Sequence, residues 1–237
     1  MAQTTHNTDA STLAGAALVD SLRAARATYR DEIQAARGGA RAAAQFSTRV
    51  DEILQLLHRQ AASQTHTPVA LVAIGGYGRR HLCLHSDIDL LFLFDGEIDT
   101  AEERFVTALL HPLWDLGLAI GQQVRQLDEL EEVPQDNPEF LAALVDSRFL
   151  AGDTGLFARF TSLVHGAQSV WRQPTIDALL GLVADRHHQF NATIYQLEPD
   201  VKEAPGALRD VSAIRTFVRL TQPNAARAVP VMAGRLD

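Results

Sequence analysis

VALVAIGGYGRRHLCLHSDIDLLFLF, residues Val69 to Phe94, reads as a strand, a glycine turn, a short connection and a second strand that opens on two aspartates. Val69 to Ile74 is a continuous apolar run with a β-branched bias, the pattern of a strand buried on both faces. Gly75, Gly76 and Gly78 follow at once. Glycines at this density let backbone N–H groups approach a ligand with no Cβ in the way. Ser86-Asp87-Ile88-Asp89 then begins the second run, Ile88 to Phe94. Side chains at i and i+2 of a strand share a face, so Asp87 and Asp89 are expected to point the same way, about 7 Å apart along the chain. Two carboxylates at that spacing can share hard divalent ions such as Mg²⁺, which take oxygen ligands from carboxylates and substrate phosphates. The plainer alternative is a buried strand whose first turn happens to carry two acids. Paired anions at a sheet edge repel unless a cation lies between them, which favours the metal reading.

Outward from this stretch the pattern is mostly helical. Met1 to Ala10 is polar and expected to fray. Ser11 to Ala36 is rich in alanine and arginine and predicts a helix ended by Gly38-Gly39. Arg41 to Ala62 predicts a second helix, with Phe46, Val50, Ile53, Leu54 and Leu57 on one stripe that faces a core. After Asp95-Gly96, Thr100 is the expected N-cap of the next helix, with Glu103 as its capping-box partner, and Gly117 ends it. Leu118 to Gln126 reads as a third strand, Leu127 to Leu144 as a two-helix region broken by Pro134 and Pro138, and Asp146 to Phe149 as a short strand or turn. Asp153 is positioned to cap a helix through His165, and Pro174 to open one that runs to Gln196. Leu197 to Leu208, with Pro199, Pro205 and Gly206, is a loop before a final helix from Arg209 to Leu220. Gln222 to Asp237 is apolar and ends abruptly.

Composition narrows the class. At 237 residues and 46% hydrophobic the chain can bury a sizeable core. A net charge of −8 argues against a broad nucleic-acid footprint. Twenty arginines stand against the single lysine Lys202, which reads as genome composition and not as function. With one cysteine, Cys83, no intrachain disulfide is possible, and a cytoplasmic setting is expected. There is no basic-then-apolar leader and no apolar run of membrane-spanning length. Asn191-Ala192-Thr193 matches a glycosylation sequon and carries no weight without a secretion signal.

Gly-Gly followed by Ser-Asp-x-Asp resembles the signature of the DNA polymerase β-like nucleotidyltransferases. The fuller string GGYGRRHLCLHSDIDLLFL is similar to the catalytic segment of bacterial protein-PII uridylyltransferase/uridylyl-removing enzymes. LLHPLWDLGLAIGQQVRQLDEL, Leu109 to Leu130, and YQLEPDVKEAPGALRD, Tyr195 to Asp210, extend that resemblance, which runs in order from about residue 40 to about residue 217. It implies an α+β polymerase β-like fold: a small mixed sheet flanked by helices, with N-terminal helices and a C-terminal helical segment. The expected organisation is residues 1–63 as N-terminal helices, 64–150 as the nucleotidyltransferase core, and 151–237 as a helical segment with a Glu/Pro/Gly loop. The enzymes of this family append a metal-dependent phosphohydrolase domain and ligand-sensing domains, so the chain is expected to be the transferase part alone, truncated or stand-alone.

The implied chemistry is in-line attack on a nucleotide α-phosphate with pyrophosphate leaving. Asp87 and Asp89 are the expected catalytic residues and Mg²⁺ ligands. Gly75, Gly76 and Ser86 would cradle the triphosphate, and Arg79 or Arg80 would neutralise the leaving group. UTP is the favoured nucleotide and the nitrogen-regulatory protein PII the expected acceptor; no nucleic-acid or membrane partner is expected. Two departures from the family pattern stand out: His81 where Glu is usual, and Leu84 or His85 where Pro is usual. The superfamily also often supplies a third carboxylate from a neighbouring strand, and Leu118 to Gln126 has none; Asp115, Asp128 and Asp146 are the remaining candidates. Glu198, Lys202, Glu203, Arg209 and Asp210 form a second polar group, an ordinary solvated loop or one that closes over nucleotide or partner. His187-His188 reads as ordinary, since adjacent helical residues diverge by about 100°. The competing functions are a binding module that no longer catalyses and a transferase acting on a small molecule.

Overall fold

The computed structural model describes residues 7–132, 137–166, 169–191, 193, 198 and 200–221. The long apolar runs become the centre of a four-stranded mixed sheet. Strand β1, Val69–Ala73, lies antiparallel to β2, Ile88–Phe94, from Val69 opposite Phe94 to Ala73 opposite Leu90. Every residue of β1 is buried, and all of β2 except Asp89. The chain then crosses over through a helix to β3, Ile120–Gln126, which runs parallel to β2 with Gly121 opposite Asp89. Such a parallel return needs a helical crossover, because a tight turn cannot reverse the chain twice. Strand β4, Arg148–Gly152, closes the other edge antiparallel to β1, giving the order β3-β2-β1-β4.

Helices cover both faces. Helices α1, Asn7–Gln34, and α2, Ala40–Ala61, precede the sheet; a single helical turn α3, Gly75–Gly78, follows β1; and α4, Thr100–Asp115, makes the crossover. Leu71, Ala73, Leu90, Phe92 and Phe94 pack on Leu22, Phe46, Val50, Leu54, Phe105 and Leu109 of α1, α2 and α4. The apolar stripe expected on the second helix is therefore the one that meets the sheet. On the opposite face lie α5, Pro138–Val145, α6, Thr154–His165, α7, Arg172–Gln189, and α8, Leu208–Thr221. There Ala70, Val72, Leu91 and Leu93 meet Phe140, Leu144, Leu156, Phe160, Trp171 and Leu220. No described helix is long and apolar enough to cross a membrane.

Several local expectations shift. Asp99, not Thr100, caps α4, accepting from Ala101 N–H at 2.6 Å. The residue three positions on from that cap is Glu102, not Glu103. Its buried carboxylate reaches across to Thr65, His66 and Thr67, tying the linker before β1 to the crossover helix at 3.1–3.3 Å. Leu127 to Leu144 holds one short 3₁₀ turn, Asp128–Leu130, and α5 capped by Asn137, instead of two full helices; Pro134 lies outside the described residues. Helix α7 begins two residues before Pro174 and ends at Gln189, where Phe190 and Asn191 turn the chain. Asp153 does cap α6, accepting from Leu156 N–H at 2.8 Å. The expectations for Met1 to His6, for Tyr195 to Leu197 and for Gln222 to Asp237 lie outside the described residues.

Candidate active site

The end of β1 and the start of β2 meet at one edge of the sheet. The glycines after β1 form the expected turn, here the single helical turn α3, with Gly75 in the left-handed region at φ 57°. Gly78 N–H donates to Ile74 O, Arg79 N–H to Gly75 O and His81 N–H to Gly76 O, so the turn is closed by its own backbone. Gly78 presses so tightly on the carbonyl of Asp146 that a side chain there would overlap it. Glycine is thus demanded twice, by backbone angle at 75 and by space at 78.

Asp89 is the one partly exposed residue of β2, and strand alternation puts it on the face of Leu91 and Leu93. Its carboxylate lies between two glycines. A Cβ at Gly75 would stand 3.4 Å from Oδ2, and a Cβ at Gly121 would overlap Oδ1. Asp87 sits just before the strand and is exposed. Burial, and then the charge of Asp87, hold the Asp89 carboxyl above its ordinary range, and the Arg79 guanidinium partly opposes them. Two oxygen-donor groups of like charge, one of them desolvated, fit a hard divalent cation, which would relieve the repulsion. The face of β3 beside Asp89 carries Gly121, Gln123 and Arg125, none of them acidic. Among the described residues no group of three or more His, Cys, Asp or Glu side chains is placed to hold a metal.

The three reserve acids take other positions. Asp115 is exposed at the end of α4, and Asp128 is exposed beyond the far end of β3. Asp146 is buried and bound by Arg79 and Arg219. The two adjacent arginines of the motif part company. Arg79 turns toward Asp146 and the Asp89 face, with Nη2 against Gly76. Arg80, at φ 62°, turns toward α2 and meets Thr48 at 3.0 Å and Asp51 at 3.5 Å. Ser86 is exposed; its Oγ accepts from Cys83 N–H at 3.2 Å and closes the connection between turn and acids. His81, where the family pattern has Glu, is half-buried and held below its ordinary range by burial and by Arg79 and Arg215. It is therefore a neutral imidazole at pH 7.

Behind the glycine turn stands a buried network with no counterpart in the sequence reading. Tyr77 Oη donates to Asp51 at 2.6 Å, and Arg148 of β4 donates to both Asp51 oxygens at 2.7 and 3.0 Å. The same guanidinium donates to the carbonyls of Gly78 at 3.1 Å and Tyr77 at 3.2 Å and lies over the Tyr77 ring. Helix α2, the turn and β4 are thereby tied into one rigid support. The polar group at 198–210 is, in its described part, largely self-satisfied. Asp200 accepts from Lys202 and Glu203 N–H, Arg209 pairs with Glu203 at 3.0 Å, and Asp210 accepts from Gly206 N–H and is held by Arg186 and His187 of α7. His187 thus joins α7 to α8, while His188 is exposed.

A mixed α+β sheet with a glycine turn and paired acids at one edge is the architecture of a nucleotidyltransferase region. Comparison with known proteins agrees. The family model described as GlnD PII-uridylyltransferase matches residues 176–235. The bifunctional uridylyltransferase/uridylyl-removing enzyme of Pseudomonas fluorescens (strain SBW25) is 39% identical over 173 residues, covering 72% of this chain and 19% of that protein. The protein of the same name from Pseudomonas putida (strain GB-1) is 40% identical over 177 residues, with the same coverage. That of Streptomyces coelicolor (strain ATCC BAA-471 / A3(2) / M145) is 39% identical over 158 residues, covering 65% of this chain and 19% of its own. The chain belongs to the GlnD PII-uridylyltransferase family. It spans about a fifth of the length of the curated relatives it matches.

Proposed function

We propose that the chain transfers UMP from UTP to a hydroxyl of the nitrogen-regulatory protein PII, in the cytoplasm, as part of the regulation of nitrogen metabolism. The observation that carries this reading is the Asp89 carboxylate lodged between Gly75 and Gly121, beside exposed Asp87 and within reach of the Arg79 charge. Asp87 and Asp89 would hold Mg²⁺, which when bound supplies charge neutralisation at the reacting phosphate. The glycine turn and Ser86 would bind phosphate oxygens, and the Asp51–Tyr77–Arg148 network keeps that turn from shifting. Arg79 would face the departing charge, whereas Arg80, drawn to α2, would contribute less. The acceptor oxygen forms its bond to the α-phosphorus as the bond to the bridging oxygen breaks. The electron pair leaves with pyrophosphate, and the hydroxyl proton passes to solvent. Residues 64–150 would form the transferase core, with the helices of 1–63 and 151–237 as its flanks.

Incubation with labelled UTP, Mg²⁺ and PII tests the proposal. Label on PII supports it; none, beside an active full-length relative as control, contradicts it. A second reading, a binding module without catalysis, draws on the acid-free face of β3 and the neutral His81. It calls for nucleotide binding that is independent of Mg²⁺ and unchanged in Asp87→Asn. Transfer to a small molecule would instead show as pyrophosphate release without PII.

A further inference from the structure

Two guanidinium groups hold one buried carboxylate next to the glycine turn, and a third stands one helical turn away on α8. Asp146, 2% exposed, is bound through Oδ2 by Arg79 and through Oδ1 by Arg219 of α8. Arg219 also donates to the Val145 carbonyl at 3.4 Å, so this end of α8 is pinned beside the loop that touches Gly78. Arg215 stands one helical turn before Arg219, hence on the same side of α8. It lies close enough for its charge, like that of Arg79, to act on His81. Among the described residues Arg215 has no carboxylate partner, and the Nε of Arg79 is buried without a hydrogen-bond acceptor. Asp146 thus pairs with Arg79 and Arg219, and Arg215 is left without a carboxylate among the described residues.

Resting on the reading of the chain as a nucleotidyltransferase, we infer that Arg215 and Arg219 of α8 join Arg79 to form the wall that takes the β- and γ-phosphates of the nucleotide and then the departing pyrophosphate. Arg79 is near enough to Asp89 for its charge to act on that carboxyl, and Asp146 joins it to Arg219, so a phosphate chain running from the acids past Arg79 would next meet α8. That is where the leaving group belongs when the α-phosphate is at the acids. Guanidinium forks match phosphate oxygens. Asp146 is a positioning residue, which holds two of the three forks at fixed orientation.

The test is calorimetric binding of inorganic tripolyphosphate, Mg²⁺–UTP and UMP to the full chain and to Arg215→Ala, Arg219→Lys and Arg49→Ala. Arg215 makes no ion pair in the described structure, so Arg215→Ala should melt like the wild type. It should bind tripolyphosphate and UTP about ten- to a hundredfold more weakly, the worth of a charge-assisted contact, with UMP affinity unchanged. Arg219→Lys should keep the fold and lose a smaller part of the same affinity, because an ammonium retains the charge without the fork. Arg49, exposed on α2 and paired with Glu52, is the control and should change nothing. The inference is overturned if the wild type does not bind tripolyphosphate, if Arg215→Ala binds it normally, or if UMP and UTP weaken equally. Its fate is separable from that of transfer. Arg215-dependent tripolyphosphate binding without labelling of any acceptor upholds the wall and sinks the transferase reading. Labelling of PII with a nucleotide KM unchanged in Arg215→Ala does the reverse.

Discussion

The Asp89 carboxylate lies so close over Gly121 of the neighbouring strand that a methyl group at position 121 would overlap Oδ1. The parallel register that sets Gly121 opposite Asp89 is thus also what gives the carboxylate its place. Gly121→Ala should push the carboxylate aside without unfolding the sheet, since Gly121 has an ordinary strand conformation and lies at its edge. Misplacement of a reacting group by about 1 Å can cost about a hundredfold in rate. We expect a loss of that order in kcat, with circular dichroism unchanged.

Asp89 is ionised at neutral pH against its surroundings, because burial and Asp87 both raise its pKa. A carboxyl whose folded pKa lies above its unfolded value destabilises the fold when the pH is above both values, and the penalty disappears as the pH falls through the folded value. Asp89→Asn should therefore melt at a higher temperature than the metal-free wild type at pH 7. The difference should vanish by about pH 3, below the ordinary carboxylate range. A scan of melting temperature against pH checks the sign. Asp95→Ala is the control: Asp95 makes a surface pair with Arg159, worth about 0.5 kcal/mol or less.

The buried support behind the turn should be expensive to break. Asp51→Ala strips Arg148 and Tyr77 of their shared acceptor. Removing one partner of a largely buried ion pair costs about 3 kcal/mol. Urea unfolding should register that loss. Any transfer activity should fall further than the population of folded protein explains, because the carbonyls of Tyr77 and Gly78 lose their common anchor.

Glu102 sets an acid limit on stability. A hydrogen bond shared with the Asp99 carboxyl, then donors from His66 and Thr67 working against burial, hold it well below the usual glutamate range. A depressed carboxyl contributes stability in full above its unfolded pKa of about 4.3 and loses it as the pH falls through the folded value. Unfolding free energy should therefore drop below about pH 4, and Glu102→Gln should flatten that limb.

The strands, the apolar stripe of α2 and the cap at Asp153 were legible because each is written in neighbouring residues. Val69 to Ile74 needs no partner to read as buried, and Asp153 bonds three residues away. A third strand without acids, Leu118 to Gln126, was also expected as a neighbour of the paired aspartates; its parallel register with Gly121 opposite Asp89 was not. What escaped depends on distant partners. Asp51 meets Arg148 across 97 positions, and nothing in the local pattern of α2 marks Asp51 as other than a surface acid. Gly121 matters only because another strand's carboxylate occupies the space above it, which its own neighbours do not encode. The cap of α4 was misplaced by one residue because Asp99 and Thr100 are both good capping types, and Glu102 is drawn to the linker at 65–67. The glycine turn after β1 was legible too, but not that it is helical and pressed against the Asp146 backbone, a contact 68 positions away.

Asp87 and Asp89 are proposed to form the centre that holds a metal–nucleotide complex. The most direct measurement is the melting temperature of the wild type, Asp87→Ala and Asp89→Ala with UTP, in the presence and absence of Mg²⁺. Ligand at a hundred times its dissociation constant adds about 2.7 kcal/mol, a rise of about 5 °C or more for a chain of this size. That rise is expected for the wild type only when both Mg²⁺ and UTP are present, with no rise for either variant, each of which remains folded. A wild-type melt that Mg²⁺ and UTP together never move, or variants that respond as the wild type does, would contradict it.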